Sequence, residues 1–189
     1  MKSPNFQQQK TTQLSRKDKS HIGEWDKKIK KLCNKINKKK NYYTTSSCAG
    51  RVVLLKASDK KQPNLFLFVT HNKISSPELK KQLNLAVKKY KKLIYFKQEC
   101  CGLHVACETL AATQNLLDKA KFAGWKNSGI IASRKRFICH FRSTEKLELP
   151  IADKGKILVS DELLKLLASE SNKKLSRTWQ KIKNLEKLL

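Results

Sequence analysis

The feature that most constrains the fold is an alternation between two spacings of apolar residues. Apolar side chains recur every three or four residues in segments 24–40 and 108–124, which is the spacing of a helix with one buried face. Segments 65–71 and 137–141 instead carry runs of apolar residues typical of β-strands. The order of helices and strands predicts an α+β fold, with a sheet covered by helices on both faces and a faint internal duplication.

The predicted elements follow one another through the whole chain. Residues 5–20 are predicted to be a short helix whose polar character makes it a weakly held arm. Residues 76–78 begin a helix with a capping hydroxyl and a proline in its first turn. The predicted strands are 41–56, interrupted at Gly50, then 65–71, 93–97, 103–107, 129–132, 137–141 and 147–151. Segments 161–168 and 172–189 are predicted to be helical and form a C-terminal tail, residues 161–189. No linker is evident, so we expect one domain, residues 1–189.

The net charge of +27 indicates a polyanionic partner. For a protein with 39% hydrophobic residues and an ordinary core, that partner is nucleic acid more often than a membrane surface. No stretch approaches about 18 consecutive apolar residues, and the N-terminal residues are polar. We therefore expect a cytoplasmic protein without a membrane partner.

The six cysteines are not spaced like the ligands of a zinc or iron–sulfur site, which need three or four thiols or imidazoles at short intervals. We expect no metal and mostly buried free thiols. Disulfides stay open as an alternative if the source is a hyperthermophile. Cys48 beside Arg51 is a weaker candidate for an activated thiolate, because a guanidinium lowers the pKa of a thiol.

Two segments rich in small and hydroxylated residues are candidates for ligand contact. Residues 44–51 precede a predicted strand, and residues 127–134 lead into another. Four of the six arginines lie in or beside these segments, whereas the other 36 basic residues are lysines. Since arginine matches carboxylates and phosphates with two parallel hydrogen bonds, we interpret the two segments as opposite sides of one site. The alternative is that these arginines only pair with surface carboxylates.

No Gly-x-Gly-x-x-Gly after a strand, Walker loop, His-Glu-x-x-His or nucleophile elbow is present, which argues against the common nucleotide enzymes. The run Thr44–Arg51, with Asp18, Gly23 and Asp26 before it, resembles the first signature of the tRNA wybutosine-synthesizing protein 3 family. Later signatures of that family are similar to His71, Leu103-His104-Val105 with Cys107, Lys126-Asn127-Ser128-Gly129-Ile130, and Arg142-Ser143-Thr144 with Leu147, Glu148 and Pro150. Ala49 and Lys126 stand where serine and arginine are common in the family.

The resemblance implies a methyltransferase that depends on S-adenosylmethionine. Its substrate would be N4 of the tricyclic wyosine-type base 3′ of the anticodon in phenylalanine tRNA. The implied fold is a three-layer α/β/α arrangement with a mixed central sheet, different from the Rossmann-type methyltransferases.

We assign roles to individual residues on the basis of this resemblance. The cofactor-binding candidates are Ser46, Ser47, Cys48, Gly50, Arg51, Ser128, Gly129, Ser133 and Arg134. His71 and His104 are the candidate bases, since histidine titrates near neutral pH. Arg142 is a candidate for the substrate, and Lys28 and Lys35 for tRNA phosphates. The competing function is a non-catalytic basic RNA-binding protein, which would not bind S-adenosylmethionine.

Overall fold

The computed structural model describes residues 5–16, 26–58, 63–134 and 136–189. Predictions for Asp18, Gly23, the first two residues of the helix predicted at 24–40, and most of the polar turn near residue 60 lie outside these ranges. Two compact units share the chain. The first unit comprises Met1–Ala49, Cys101–Thr144 and Thr178–Leu189; the second comprises Gly50–Cys100 and Glu145–Arg177.

The helices and strands agree in type with those predicted from the sequence, within a few residues at their ends. In chain order they are α1 (Phe6–Leu14), α2 (Lys27–Lys38), β1 (Tyr42–Cys48), β2 (Arg51–Lys56), β3 (Phe66–Thr70), α3 (Ser76–Lys89), β4 (Ile94–Glu99), β5 (Gly102–Cys107), α4 (Leu110–Phe122), β6 (Gly129–Ala132), β7 (Phe137–Arg142), β8 (Leu147–Asp153), β9 (Lys156–Ile157) and α5 (Asp161–Leu188). The two-residue strand β9 was not predicted, because such a strand has no apolar pattern of its own. The tail predicted as two helices is one continuous helix, α5.

The first unit contains a four-stranded sheet in the order β1-β5-β7-β6. Its buried face carries Leu103, Val105, Cys139 and Phe141, which belong to a core cluster with residues of α2 and α4 and the end of α5. The other face is only partly covered, because α1 contributes one buried side chain, Phe6. The Phe6 ring lies 5.1 Å from the ring of Tyr43 in β1.

The second unit contains a five-stranded sheet in the order β3-β2-β4-β8-β9. Val52, Val53, Leu54 and Phe96 are fully buried on its strands. Helix α3 begins after Ser75, whose hydroxyl accepts a hydrogen bond from the Glu78 backbone N–H at 3.3 Å. The sequence had suggested Ser76 for this cap, one residue too late.

The expectation of one mixed central sheet is wrong: the described strands form two sheets in which every pairing is antiparallel. The mixed sheet was an implication of the family resemblance, whereas in both units a third strand lies between the strands that a helix connects. β7 lies between β5 and β6, which α4 connects, and β2 lies between β3 and β4, which α3 connects. Adjacent strands therefore run in opposite directions.

None of the helices in the described part of the chain combines the length and the apolar character required to cross a membrane. All six cysteines are thiols, not disulfides, and five of them are buried.

Candidate active site

One row of polar side chains crosses the four-stranded sheet of the first unit. Ser46 of β1 is paired with His104 of β5, His104 with His140 of β7, and His140 with Gly129 of β6. Residues paired across strands share a face of the sheet. Their neighbours in the strands, Leu103 and Phe141, point to the buried face. The row therefore lies on the face opposite the core, the one that carries Tyr43 and is partly covered by α1.

A β-bulge in β1 brings Ser46 into this row. Tyr43 pairs with Ala106 and Thr44 with Val105, but the register then shifts, so that Ser46 pairs with His104. Without the extra residue, Thr45 would occupy the place of Ser46 and every later side chain would change face. The Asn37 side chain holds this part of the strand, because it accepts a bond from the Thr44 N–H at 2.8 Å and donates one to the Thr44 hydroxyl at 3.0 Å.

Ser46 and His104 are in direct contact. The Ser46 Oγ lies 3.0 Å from Nδ1 of His104, and either atom can donate, depending on the imidazole tautomer. If Nδ1 carries the proton and donates to Ser46, Nε2 is left unprotonated and can accept a proton from a substrate.

His140 contacts the other side of the His104 ring. The two ring centroids are 4.5 Å apart with an interplanar angle of 78°, an edge-to-face arrangement. Burial lowers the pKa of His104, and burial together with the charges of His104 and Arg142 lowers the pKa of His140. Both imidazoles are therefore neutral at pH 7, the state in which one of them can act as a base.

The next row on this face contains two further residues named from the sequence, Cys48 and Arg142. Cys48 is paired with Gly102, and Gly102 with Arg142. The Arg142 backbone N–H donates to the Ser128 hydroxyl at 3.2 Å, and that hydroxyl donates to the Trp125 carbonyl at 2.6 Å. Ser128 thus has a structural role at the start of β6, whereas the Arg142 side chain is exposed.

The two candidate segments do not face each other directly, contrary to our expectation. β1 and β6 are the opposite edges of the sheet, about 14 Å apart at three strand spacings. Ser46 and Gly129 instead lie at the two ends of the row that contains the histidines. Ser133 and Arg134 are exposed in the turn that follows β6.

Ser47 lies on the opposite face of β1 from Ser46. It is paired with the buried Leu103, and it hydrogen-bonds with the thiol of Cys33 in α2. Burial raises the pKa of Cys33 to about 12, so this thiol stays protonated despite the opposing effect of the Ser47 bond. Ser47 therefore contacts the core of the unit and not its open face.

Gly50 and Arg51 belong to the second unit, at the start of β2. Gly50 has φ of 95°, and a Cβ at this position would lie 2.9 Å from the Glu99 carbonyl oxygen, so the site requires glycine. The Arg51 guanidinium forms an ion pair with the Glu99 carboxylate and lies over the Phe66 ring at 4.7 Å. Arg51 thus pairs with a carboxylate, as the alternative interpretation of the arginines predicts, although 26% of its side chain is exposed.

Three further predicted residues, His71, Lys28 and Lys35, are not part of the four-stranded sheet. His71 follows the end of β3 in the second unit. The Lys28 ammonium lies 4.7 Å from the centroid of the Trp179 ring, and Lys35 donates to the Glu186 carbonyl at 2.7 Å. Both lysines of α2 therefore contact the C-terminal part of α5.

The sequence reading missed His140. Its signal was present, because His140 alternates with the apolar Cys139 and Phe141 in the way that His104 alternates with Leu103 and Val105. What the sequence lacks is the register that pairs the two histidines.

Comparison with known proteins gives a consistent result over the whole chain. The model of the family described as Methyltransferase TYW3 matches residues 5–189. The tRNA wybutosine-synthesizing protein 3 homolog of Danio rerio is 34% identical over 195 residues, covering 100% of this chain and 76% of that protein. A Thermococcus sibiricus protein named tRNA(Phe) 7-((3-amino-3-carboxypropyl)-4-demethylwyosine(37)-N(4))-methyltransferase is 34% identical over 186 residues, covering 96% of this chain and 93% of that protein.

A solved structure of a Pyrococcus horikoshii protein superimposes with a TM-score of 0.84 at 30% identity, covering 98% of this chain and 94% of the other. A structure from Aeropyrum pernix, at 24% identity and a TM-score of 0.74, covers 86% of this chain and 96% of the other and has the same fold.

Proposed function

The chain belongs to the TYW3 methyltransferase family, and on that basis we propose that it methylates N4 of the wyosine-type base at position 37 of phenylalanine tRNA, with S-adenosylmethionine as the methyl donor. One observation carries this proposal. The family match extends over residues 5–189, and relatives similar over nearly the whole chain are named for this reaction. The net charge of +27 agrees with a polyanionic substrate.

S-adenosylmethionine would supply an activated methyl group on a positively charged sulfur. The groups that could hold it come from those predicted from the sequence: Ser46, Cys48, Gly50 and Arg51 on one segment, and Ser128, Gly129, Ser133 and Arg134 on the other. Ser47 faces the core and would act only through the strand that carries Ser46. Their chemistry fits the donor, because hydroxyls can bond the ribose and adenine, and a guanidinium can bond the carboxylate. Within this set, Ser46 and Gly129 have the strongest support, since they flank the histidine pair.

His104 is the candidate for the proton transfer. As the N–C bond forms, the S–C bond breaks and the proton on N4 must leave, which requires a neutral base close to the nitrogen. The lowered pKa of His104 and its bond to Ser46 support this role, with Ser46 as the residue that orients the ring. His71 stays a second candidate on the family resemblance alone.

The tRNA would contact the open face of the sheet through Arg142 and the basic surface through lysines, among them Lys28 and Lys35. We also propose a three-layer α/β/α arrangement outside the Rossmann class, a single domain, an internal duplication and a cytoplasmic location. The duplication is supported by a feature that both units share: two strands connected by a helix lie on either side of a third strand.

The proposal is tested in two steps. Calorimetric titration of the protein with S-adenosylmethionine should give saturable heat, and incubation of labelled donor with tRNA from a strain lacking the protein should label the RNA. His104→Gln should bind the donor normally and transfer the label at least a hundredfold more slowly. An absence of donor binding would instead favour the non-catalytic RNA-binding protein.

A further inference from the structure

A second concave site lies on the same face of the first unit as the histidine row. It is a cavity of about 290 Å³, close to the lower limit of small-molecule sites. Its lining combines residues in and beside α1 with one residue of β1 and one residue just before β7: Asn5, Gln8, Gln9, Thr12, Gln13, Arg16, Tyr43 and Arg136. None of the residues predicted from the sequence as catalytic or cofactor-binding lines it.

Helix α1 is unusual for a helix that packs on a sheet. It has only Phe6 buried, and Gln8, Gln9, Thr12 and Gln13 are spaced to form one helix face of amides and a hydroxyl, with Arg16 just beyond the C-cap. A polar face of this kind does not stabilise a core, so its chemistry suits a ligand.

Specific contacts hold α1 against the sheet, although the sequence suggested a weakly held arm. Gln7 donates to the Lys40 carbonyl at 3.2 Å, and Lys10 donates to the Lys39 carbonyl at 2.6 Å. The Tyr43 hydroxyl donates to the Gln9 side chain at 3.3 Å. With the Phe6–Tyr43 contact, these bonds position α1 and thereby shape the cavity.

The cavity is positively charged. Arg16 and Arg136 contribute two guanidinium groups. Among the described residues, no carboxylate lines the cavity and neither arginine has an ion-pair partner. Guanidinium groups bind phosphate, whereas glutamine amides, which donate and accept, match the hydrogen-bonding edges of nucleobases. A nucleotide presents both kinds of group.

The cavity lies one step along the sheet from the histidine row. Tyr43 is paired with Ala106, and Ala106 with Ile138, and these pairs are the next pairs on the same face after Ser46–His104–His140. Two residues along a strand span about 7 Å. An RNA strand that brings one base to His104 would therefore bring a neighbouring nucleotide to α1.

We propose that this cavity binds a nucleotide of the substrate tRNA adjacent to the one that is methylated. The inference rests on the proposed function, since it takes the histidine row as the site of transfer. It assigns α1 and Arg136 to substrate positioning and not to chemistry.

The test compares Arg136→Gln with Arg177→Gln, which removes the same charge from an exposed position on α5. In methylation assays Arg136→Gln should raise KM for tRNA about tenfold or more with kcat unchanged, and Arg177→Gln should change KM less than about twofold. Equal effects of the two substitutions would overturn the proposal, because the arginine would then contribute only to the general field.

A second measurement uses synthetic anticodon stem-loops of phenylalanine tRNA in which one nucleotide next to position 37 is abasic. Loss of that base should weaken binding to the wild type, and should matter much less for Gln13→Ala, because the partner amide is already absent. Additive effects of the abasic site and Gln13→Ala would overturn the proposal. So would competition by AMP at an affinity similar to that of the stem-loop, since the cavity would then be a site for free nucleotides.

These outcomes can be separated from a failure of the proposed function. If the wild type transfers no methyl group to tRNA, the proposed function fails whatever the variants do. If the wild type is active and Arg136→Gln behaves like Arg177→Gln, only the assignment of this cavity fails.

Discussion

A single extra residue in β1 decides which side chains can take part in chemistry on the open face of the sheet. The bulge at Thr45 directs Ser46 toward His104 and Ser47 toward the thiol of Cys33. The run of serines therefore contains one residue available to a ligand and one that belongs to the core. A run of hydroxylated residues indicates a ligand site in a sequence, but only the strand register assigns each hydroxyl to a face.

The pH dependence of methyl transfer should identify the base. Because burial lowers the pKa of His104, the ring stays neutral at pH values below the ordinary histidine pKa of 6.5. The acid limb of the kcat profile should therefore have an apparent pKa below 6.5, and activity should fall as the pH drops through it.

His104→Gln should reduce kcat by about a hundredfold to ten-thousandfold and remove this limb. His71→Gln, as the matched control, should keep the limb. If the acid limb persisted in His104→Gln and disappeared in His71→Gln, the base would be His71.

A substitution at Arg51 can distinguish bidentate hydrogen bonding to the donor from a simple effect of positive charge. Arg51→Lys keeps the charge but loses the fork geometry, so donor affinity measured by calorimetry should fall about tenfold to a hundredfold, and tRNA affinity measured by filter binding should change little. Since Arg51 also pairs with Glu99, Glu99→Gln is the control for the loss of that ion pair. If Glu99→Gln weakened donor binding as much as Arg51→Lys, the arginine would act only through its structural contact.

At the scale of elements, the turn between β1 and β2 depends on Gly50. Gly50→Ala should lower the free energy of unfolding by about 1–3 kcal/mol, because alanine disfavours φ of 95° and its Cβ would lie against the Glu99 carbonyl. The measurement is the urea midpoint at an unchanged m-value. Gly102→Ala is the control, since a Cβ there meets nothing within 4 Å. Equal stability of the two variants would show that the turn relaxes without cost.

The basic face of α2 divides into lysines that contact α5 and lysines that point to solvent. Lys30 and Lys38 are both exposed, and the double substitution Lys30→Glu with Lys38→Glu should weaken tRNA binding at unchanged stability. The slope of log binding constant against log salt concentration should become less steep by about 0.7–0.9 per lost phosphate contact. Lys28→Glu with Lys35→Glu should in addition lower stability, on the order of 1 kcal/mol, because the contacts with Trp179 and Glu186 are lost. Binding that does not respond to either pair would exclude α2 from the RNA interface.

The sequence predicts these elements well and their pairing poorly, for a physical reason. The apolar period of α2 and the run in β3 are local properties, and both elements occur near the predicted positions. The strand order could not be predicted from the sequence, because it depends on contacts between distant segments, which no local pattern records. For the same reason His104 could be singled out from its alternation in β5, whereas its contact with His140 could not.

At the scale of the whole molecule, connectivity and charge are the relevant properties. The chain passes between the two compact units after Ala49, Cys100, Thr144 and Arg177, so neither unit is a continuous segment, and the single domain stays our prediction. The segment proposed for the donor contains the first of these junctions, between Ala49 and Gly50. The excess of positive charge, spread over both units, suits a substrate as large as tRNA.

The most direct test of the account is the identity of the methylated nucleoside. Phenylalanine tRNA from a strain lacking the protein is incubated with the purified protein and methyl-labelled S-adenosylmethionine, digested to nucleosides and analysed by mass spectrometry. The account predicts one added methyl group, on N4 of the tricyclic base from position 37, and none with His104→Gln over the same time. Label in any other nucleoside, or no label in RNA that carries the demethylated base, would contradict it.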